Sequence, residues 1–120
     1  MPSSRLRFPK SARMCSAGEF AKLRREGESF HGRLMVLSVL KSTSDTGARI
    51  GLITSRRVGG AVLRNRVRRR LREIVRAARP QLQRGILLVL IARQGAARAT
   101  FAALREEWRV LARRSTILSA

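Results

Sequence analysis

SRRVGGAVLRNRVRRRLREIVRAARP, Ser55 to Pro80, holds ten arginines between Arg56 and Arg79 and still keeps an apolar stripe along one side. Turning about 100° per residue from Val67, Leu63, Leu71, Ile74 and Ala78 all fall within roughly 40° of it, with Val75 at about 80°. That spacing predicts a folded helix with a buried side. Opposite the stripe, Asn65, Arg69, Arg72 and Arg76 cluster within roughly 60° of one another, flanked by Arg66 and Arg68. A helix with an apolar stripe and a cationic back is a phosphate-binding face carried on a packed domain.

Outward from this helix, Val58-Gly59-Gly60-Ala61 forms a glycine turn into it and Pro80 ends it. Before it, Leu34 to Leu40 and Arg49 to Ser55 are dense in Val, Ile and Leu. Separated by the turn-rich Lys41 to Ala48, they read as adjacent antiparallel strands. Ala17 to Glu26 reads as a short helix capped by Ser16, with Phe20, Leu23 and the stem of Arg24 on one side and Gly27 at its end. After the basic helix, Gln81 to Gly85 reads as a loop. Ile86 to Ala92 is continuously apolar, which predicts an interior strand covered on both faces. Thr100 caps a last helix in which Phe101, Leu104, Trp108 and Leu111 recur at spacings of three and four. The order predicts an α+β layer with helices packed on a small sheet.

The chain has 120 residues, which suits one domain. Residues 1–12 read as a basic arm and 13–120 as a single RNA-binding domain. Lys and Arg total 27 against seven Asp and Glu, a formal charge of +20. Such an excess repels itself without a polyanionic partner, and nucleic acid is the leading one. Arg supplies 24 of the 27 cations, and its planar fork of donors matches phosphate oxygens. A base-rich genome would explain the choice of Arg over Lys but not the excess of cations over acids. Cys15 is the only cysteine, which excludes an internal disulfide or a multi-cysteine zinc site and fits a reducing compartment. The N-terminus lacks the apolar run of about seven residues that a secretory signal needs. No stretch approaches the roughly 20 apolar residues that span a bilayer, so a cytoplasmic protein with no membrane partner is expected.

Groups for catalysis are sparse. Glu106 and Glu107 are the only neighbouring acids, and adjacent helical residues diverge by about 100°, so they do not face one substrate atom. His31, the only imidazole, reads as a strand-edge residue, with a general base as the sharper alternative. Cys15 has no histidine near it in sequence and reads as a packing or surface thiol. Gly47, Gly51, Gly59 and Gly60 fit neither a Walker loop nor a dinucleotide fingerprint. No catalytic residue is assigned.

The run Val58-Gly59-Gly60-Ala61-Val62-Leu63-Arg64-Asn65-Arg66-Val67-Arg68-Arg69, with Arg72-Glu73 after it, resembles the signature of the protein component of bacterial ribonuclease P. The resemblance extends to Glu19-Phe20, Gly27, Arg33 to Leu40, Gly51 to Arg57 and Ile86 to Ala97. It implies a protein that assists a catalytic RNA in removing the 5′ leader of precursor tRNA, with the chemistry done by Mg2+ held mainly by the RNA. It also implies an α/β sandwich of a small mixed sheet with three helices, the basic helix lying in a left-handed crossover. Most such connections are right-handed, so periodicity alone does not lead there. Carried over by position, Arg64, Asn65, Arg66, Arg68, Arg69 and Arg72 match the motif that docks on the RNA subunit. Phe20 matches an aromatic in the cleft for the single-stranded leader, and Arg56-Arg57 match a basic pair at its edge. A core contact with the sheet is the other reading of Phe20, and snorkelling over the core edge is the other reading of Arg64 and Arg70.

The chain departs from the pattern at several positions. Arg24 stands where a second first-helix aromatic is frequent and Ser38 where a strand tyrosine is common, which shifts leader binding from stacking towards charge at Arg24, Arg56 and Arg57. Gly60 stands where Asn or Lys is frequent, and Cys15-Ser16 where basic residues often occur. The rival readings are a structural RNA-binding protein of ribosomal type and a DNA-binding protein using Val62 to Ala78 in a major groove. The second lacks a helix-turn-helix partner or zipper to position that helix, so no DNA partner is expected.

Overall fold

The computed structural model describes residues 17–41 and 47–118. The basic arm, Cys15 and Ser16 lie outside them. Among the described residues, three helices and four strands follow in the order α1 (Ala17–Glu26), β1 (Glu28–His31), β2 (Met35–Lys41), β3 (Arg49–Ile53), α2 (Ala61–Ala78), β4 (Ile86–Ala92) and α3 (Phe101–Ser115). Short 3-10 turns at Arg56–Val58, Arg79–Gln81 and Gln94–Arg98 join them.

The strands form one sheet in the order β1-β2-β4-β3, so the architecture is α+β with a mixed sheet, as expected. β4 lies antiparallel to β2 and parallel to β3. This corrects one expectation, because β2 and β3 are not neighbours. The continuously apolar β4 is the only strand suited to burial on both faces, and it takes the place between them, with Leu88, Val89 and Leu90 all buried. β2 and β3, both rich in Val, Ile and Leu, can each stand beside it or beside one another, so their composition leaves the choice open.

α2 and α3 cover one face of the sheet. Met35, Leu37 and Val39 of β2, Ile50 of β3 and Ile86, Leu88 and Leu90 of β4 meet Val67, Leu71, Ile74 and Val75 of α2 and Leu104, Trp108 and Leu111 of α3. Each fully buried aliphatic side chain here contributes roughly 1.5 to 3 kcal/mol. The predicted stripe of α2 is thus the stripe that is buried, with Leu63 and Ala78 half-buried at its two ends. α1 covers the other face through Leu23, which is buried against Val89, with Phe20, Leu40, Leu87 and Ile91 around them.

Helix ends follow local chemistry. Thr100 Oγ1 accepts from the Ala103 amide at 3.0 Å, the expected cap of α3. The Gly27 amide donates to the Leu23 carbonyl at 2.8 Å and closes α1. α2 ends at Ala78, and Pro80 sits in the 3-10 turn that follows. β1 is an edge strand absent from the sequence expectation; its four residues, ESFH, are mostly exposed. The β1–β2 turn is pinned by α3, where the Glu107 carboxylate accepts from the amides of Arg33, Leu34 and Met35 at 3.1, 2.7 and 2.8 Å.

Candidate nucleic-acid interface

The entry to α2 is set by Gly59, whose φ of 146° lies where side chains are strained, and an added Cβ would stand 2.7 Å from Leu63 Cδ1. Gly60 follows as the N-cap without a side-chain cap bond, and the first turn carries no acid. The helix therefore presents its positive end without a carboxylate over it.

The predicted docking residues divide into three groups around α2. Asn65 and Arg69 are exposed on the crest, beside Val62, which is 80% exposed. Arg64, Arg68 and Arg72 run along one flank, at about 60°, 100° and 140° from the centre of the apolar stripe. Arg68 is half-buried and donates through Nη2 to Thr54 Oγ1 at 2.9 Å, which ties this flank to the end of β3. Arg64 is also half-buried, and its Nε has no hydrogen-bond partner among the described residues. Arg66 lies on the opposite flank with Arg70. Arg66 donates to the Ala97 carbonyl at 3.3 Å and Arg70 to the Ala99 carbonyl at 2.9 Å, both in the segment leading into α3. Arg70, at the edge of the apolar stripe, is half-buried and tied to the lead-in of α3 by this bond. Arg76, on the back of the helix, pairs with Glu73.

Phe20 is on the far side of the sheet from α2. Its ring lies over Gly51, where an added Cβ would stand 3.0 Å from two ring carbons, so the missing side chain of β3 makes room for it. It is half-buried, so the ring covers the sheet without being closed over. Register places Ser38, Val89 and Gly51 in one row under this side, and His31, Val36, Ile91 and Ile53 in the next. In that second row His31 and Ile53 are exposed and Val36 and Ile91 half-buried, leaving an open floor beside Phe20. Arg24, one helical turn after Phe20, is exposed at the same side of α1. Arg56 and Arg57 are exposed on the 3-10 turn after β3, and Arg57 also lines a cleft beside α2.

Sequence reasoning missed that β1 extends this floor. Ser29 and Ser38 are paired across β1 and β2 with their hydroxyl oxygens 2.9 Å apart, and His31 ends the outer row. Gly27 and Gly32 on either side of ESFH were the available signal. Among the described residues, no three His, Cys, Asp or Glu side chains come together as a metal site. No helix among them is long and apolar enough to cross a membrane.

Known proteins match this geometry. The ribonuclease P family profile covers residues 8–116. The ribonuclease P protein component of Symbiobacterium thermophilum is 38% identical over 109 residues, spanning 91% of this chain and 95% of its own. That of Acidothermus cellulolyticus is 40% identical over 104 residues, spanning 84% and 85%. The solved RNase P protein of Thermotoga maritima, a complex with 1-(4-fluorophenyl)-2-thiourea, superposes with a TM-score of 0.74 at 28% identity, covering 84% of this chain and 98% of that one. The Staphylococcus aureus RNase P protein shares the fold at a TM-score of 0.83 and 23% identity, covering 92% and 100%. The chain belongs to the ribonuclease P protein component family, the protein subunit of the enzyme that matures the 5′ end of tRNA.

Proposed function

We propose that the chain binds two RNAs at once, with Phe20 and Arg24 on the face of the sheet away from α2 and Arg56 and Arg57 on the turn between β3 and α2 that borders both surfaces. α2 docks on the catalytic RNA subunit through Arg64, Asn65, Arg66, Arg68, Arg69 and Arg72. Phe20, Arg24, Arg56 and Arg57 hold the single-stranded 5′ leader of precursor tRNA. The observation that carries this reading is Phe20 seated half-open over Gly51, on the face away from the cationic helix. A purely core phenylalanine would be closed over, and a protein that only neutralises folded RNA has no use for an aromatic cleft.

The chemistry expected at each surface differs. At α2, guanidinium forks neutralise phosphates and release counterions, so affinity falls steeply with salt. At the cleft, an unpaired base stacks on the Phe20 ring while Arg24 and Arg56 attract the backbone, worth about 1 to 3 kcal/mol per stacked base. With Ser38 in the floor where the family often carries tyrosine, Phe20 is the one aromatic among these proposed leader residues.

Bond cleavage in this reading belongs to Mg2+ on the RNA. Glu107 and Glu73 are engaged by backbone amides and Arg76. The protein orients substrate and raises the effective affinity for leader, in a cytoplasmic ribonucleoprotein.

Reconstitution tests this. Protein alone is expected to leave precursor tRNA intact, and with the RNA subunit to permit cleavage at low Mg2+. If adding the protein changes neither the Mg2+ requirement nor the affinity for leader-bearing substrate, the reading fails.

A further inference from the structure

Between the N-terminal half of α2 and the turn before α3 lies a cleft of about 850 Å³. Arg57, Arg66, Arg70 and Arg98 line it, with Gln94 and Thr100, and none of its lining residues is acidic. Two of the four guanidinium groups are held in place by backbone carbonyls, Arg66 by Ala97 and Arg70 by Ala99. Each such bond uses one of five donors and leaves the charge in position. The uncapped N-terminus of α2 opens beside it, at Gly59 and Leu63. Four cations, no counter-charge and the positive end of an 18-residue helix make a concave anion trap.

We propose that this cleft is a phosphate pocket that takes a backbone phosphodiester of the RNA subunit, with Arg98 as its outer clamp. The proposal rests on the reading that α2 faces that RNA, and extends it to a surface off the crest of the helix. Crest and flank residues Asn65, Arg69 and Arg72 point away from the cleft, so RNA that reaches Arg98 has to wrap over the helix towards α3. Of the six proposed docking residues, Arg66 alone lines the cleft. Arg98 is exposed, 29 to 33 residues beyond the crest residues Asn65 and Arg69 in sequence but across one cleft from Arg66.

The test measures binding of the full-length protein to the RNA subunit without precursor tRNA, as a function of salt, so that leader contacts do not enter. Arg98→Ala is expected to lower the slope of log affinity against log salt by roughly 0.7 to 0.9, the contribution of one phosphate contact. Arg98→Lys is expected to restore most of that slope, since a point charge still neutralises a phosphate. Arg114→Ala removes the same charge from the far end of α3 and is expected to leave the slope within error. A wild-type slope for Arg98→Ala overturns the proposal, as does an equal loss from Arg114→Ala. If wild-type protein fails to bind the RNA subunit at all, the underlying reading has failed instead. A parallel titration with inorganic phosphate, followed by amide shifts at Gly59, Gly95 and Arg98, separates the sources of the anion. Shifts there with an unchanged RNA slope for Arg98→Ala assign the cleft to free phosphate and overturn the RNA assignment.

Discussion

Replacing Phe20 by leucine separates the two roles that its position combines. The ring is half-buried over Gly51 and beside Leu23 and Val89. Truncating a fully buried phenylalanine to alanine costs about 3 to 5 kcal/mol, so Phe20→Ala should cost roughly 2. Leucine refills most of that contact, and Phe20→Leu should cost below about 1 kcal/mol, or a few degrees in Tm. Stacking, however, needs a flat ring and is worth about 1 to 3 kcal/mol per base. At the holoenzyme this converts to roughly a 5- to 150-fold weaker binding of leader-bearing precursor tRNA, with mature tRNA unaffected. The assay is the ratio of the two affinities for holoenzymes reconstituted with wild-type, Phe20→Leu and Phe20→Trp proteins, beside their melting curves. Tryptophan should preserve the ratio and leucine should lower it. A leucine variant whose ratio stays within twofold of wild type would refute the stacking argument and leave Phe20 as sheet cover.

Three further outcomes follow from the geometry. Glu107→Ala strips three amides of a charged acceptor, two of them part-buried, and should cost about 3 kcal/mol by denaturant titration; Glu107→Gln, which keeps one carbonyl oxygen, should lose about half as much, and equal small losses would show the turn holds without α3. Gly59→Ala should destabilise by about 1 to 3 kcal/mol because of its positive φ and the Leu63 contact, whereas Gly60→Ala, with nothing within 4 Å of the new Cβ, should cost below about 1; similar losses for the two would contradict the assigned backbone. Arg69→Ala should reduce the salt slope of RNA-subunit binding by roughly 0.7 to 0.9 with no change in stability, while Arg68→Ala should do both, since it also loses the bond to Thr54; a stability loss from Arg69→Ala would place it in the core.

Much of this was legible in the sequence because it depends on near neighbours in the chain. The apolar stripe of α2, the Thr100 cap and the double-sided burial of β4 each follow from residues within a few positions of one another. The neighbour order of the sheet does not. The continuous apolarity of β4 marks an interior strand, but β2 and β3 are both simply rich in Val, Ile and Leu, and nothing local says that β4 separates them. β1 was missed for the same reason: ESFH has few apolar residues, and only its pairing with β2 makes it a strand. The floor beside Phe20 then went unseen, since His31 and Ser29 join it only through that pairing.

The arginines were readable as a face but not as separate tools. The wheel places Arg66 and Arg68 beside the polar cluster and Arg70 at the border of the apolar stripe, and composition alone allows their type to be a genomic preference. Their acceptors lie 14, 29 and 31 residues away in sequence, at Thr54, Ala99 and Ala97. Each uses one guanidinium nitrogen to brace α2 against the end of β3 or the lead-in to α3, and each keeps further donors for an outside partner. A lysine at these positions offers a single rotatable ammonium on a flexible stem, which is poorly suited to bracing the fold and gripping a phosphate in fixed geometry together. Arginine on these flanks is therefore a requirement of the packing as well as of charge. In the proposed function, the same bracing holds these cations in fixed positions, the condition for fitting one RNA shape rather than coating any polyanion.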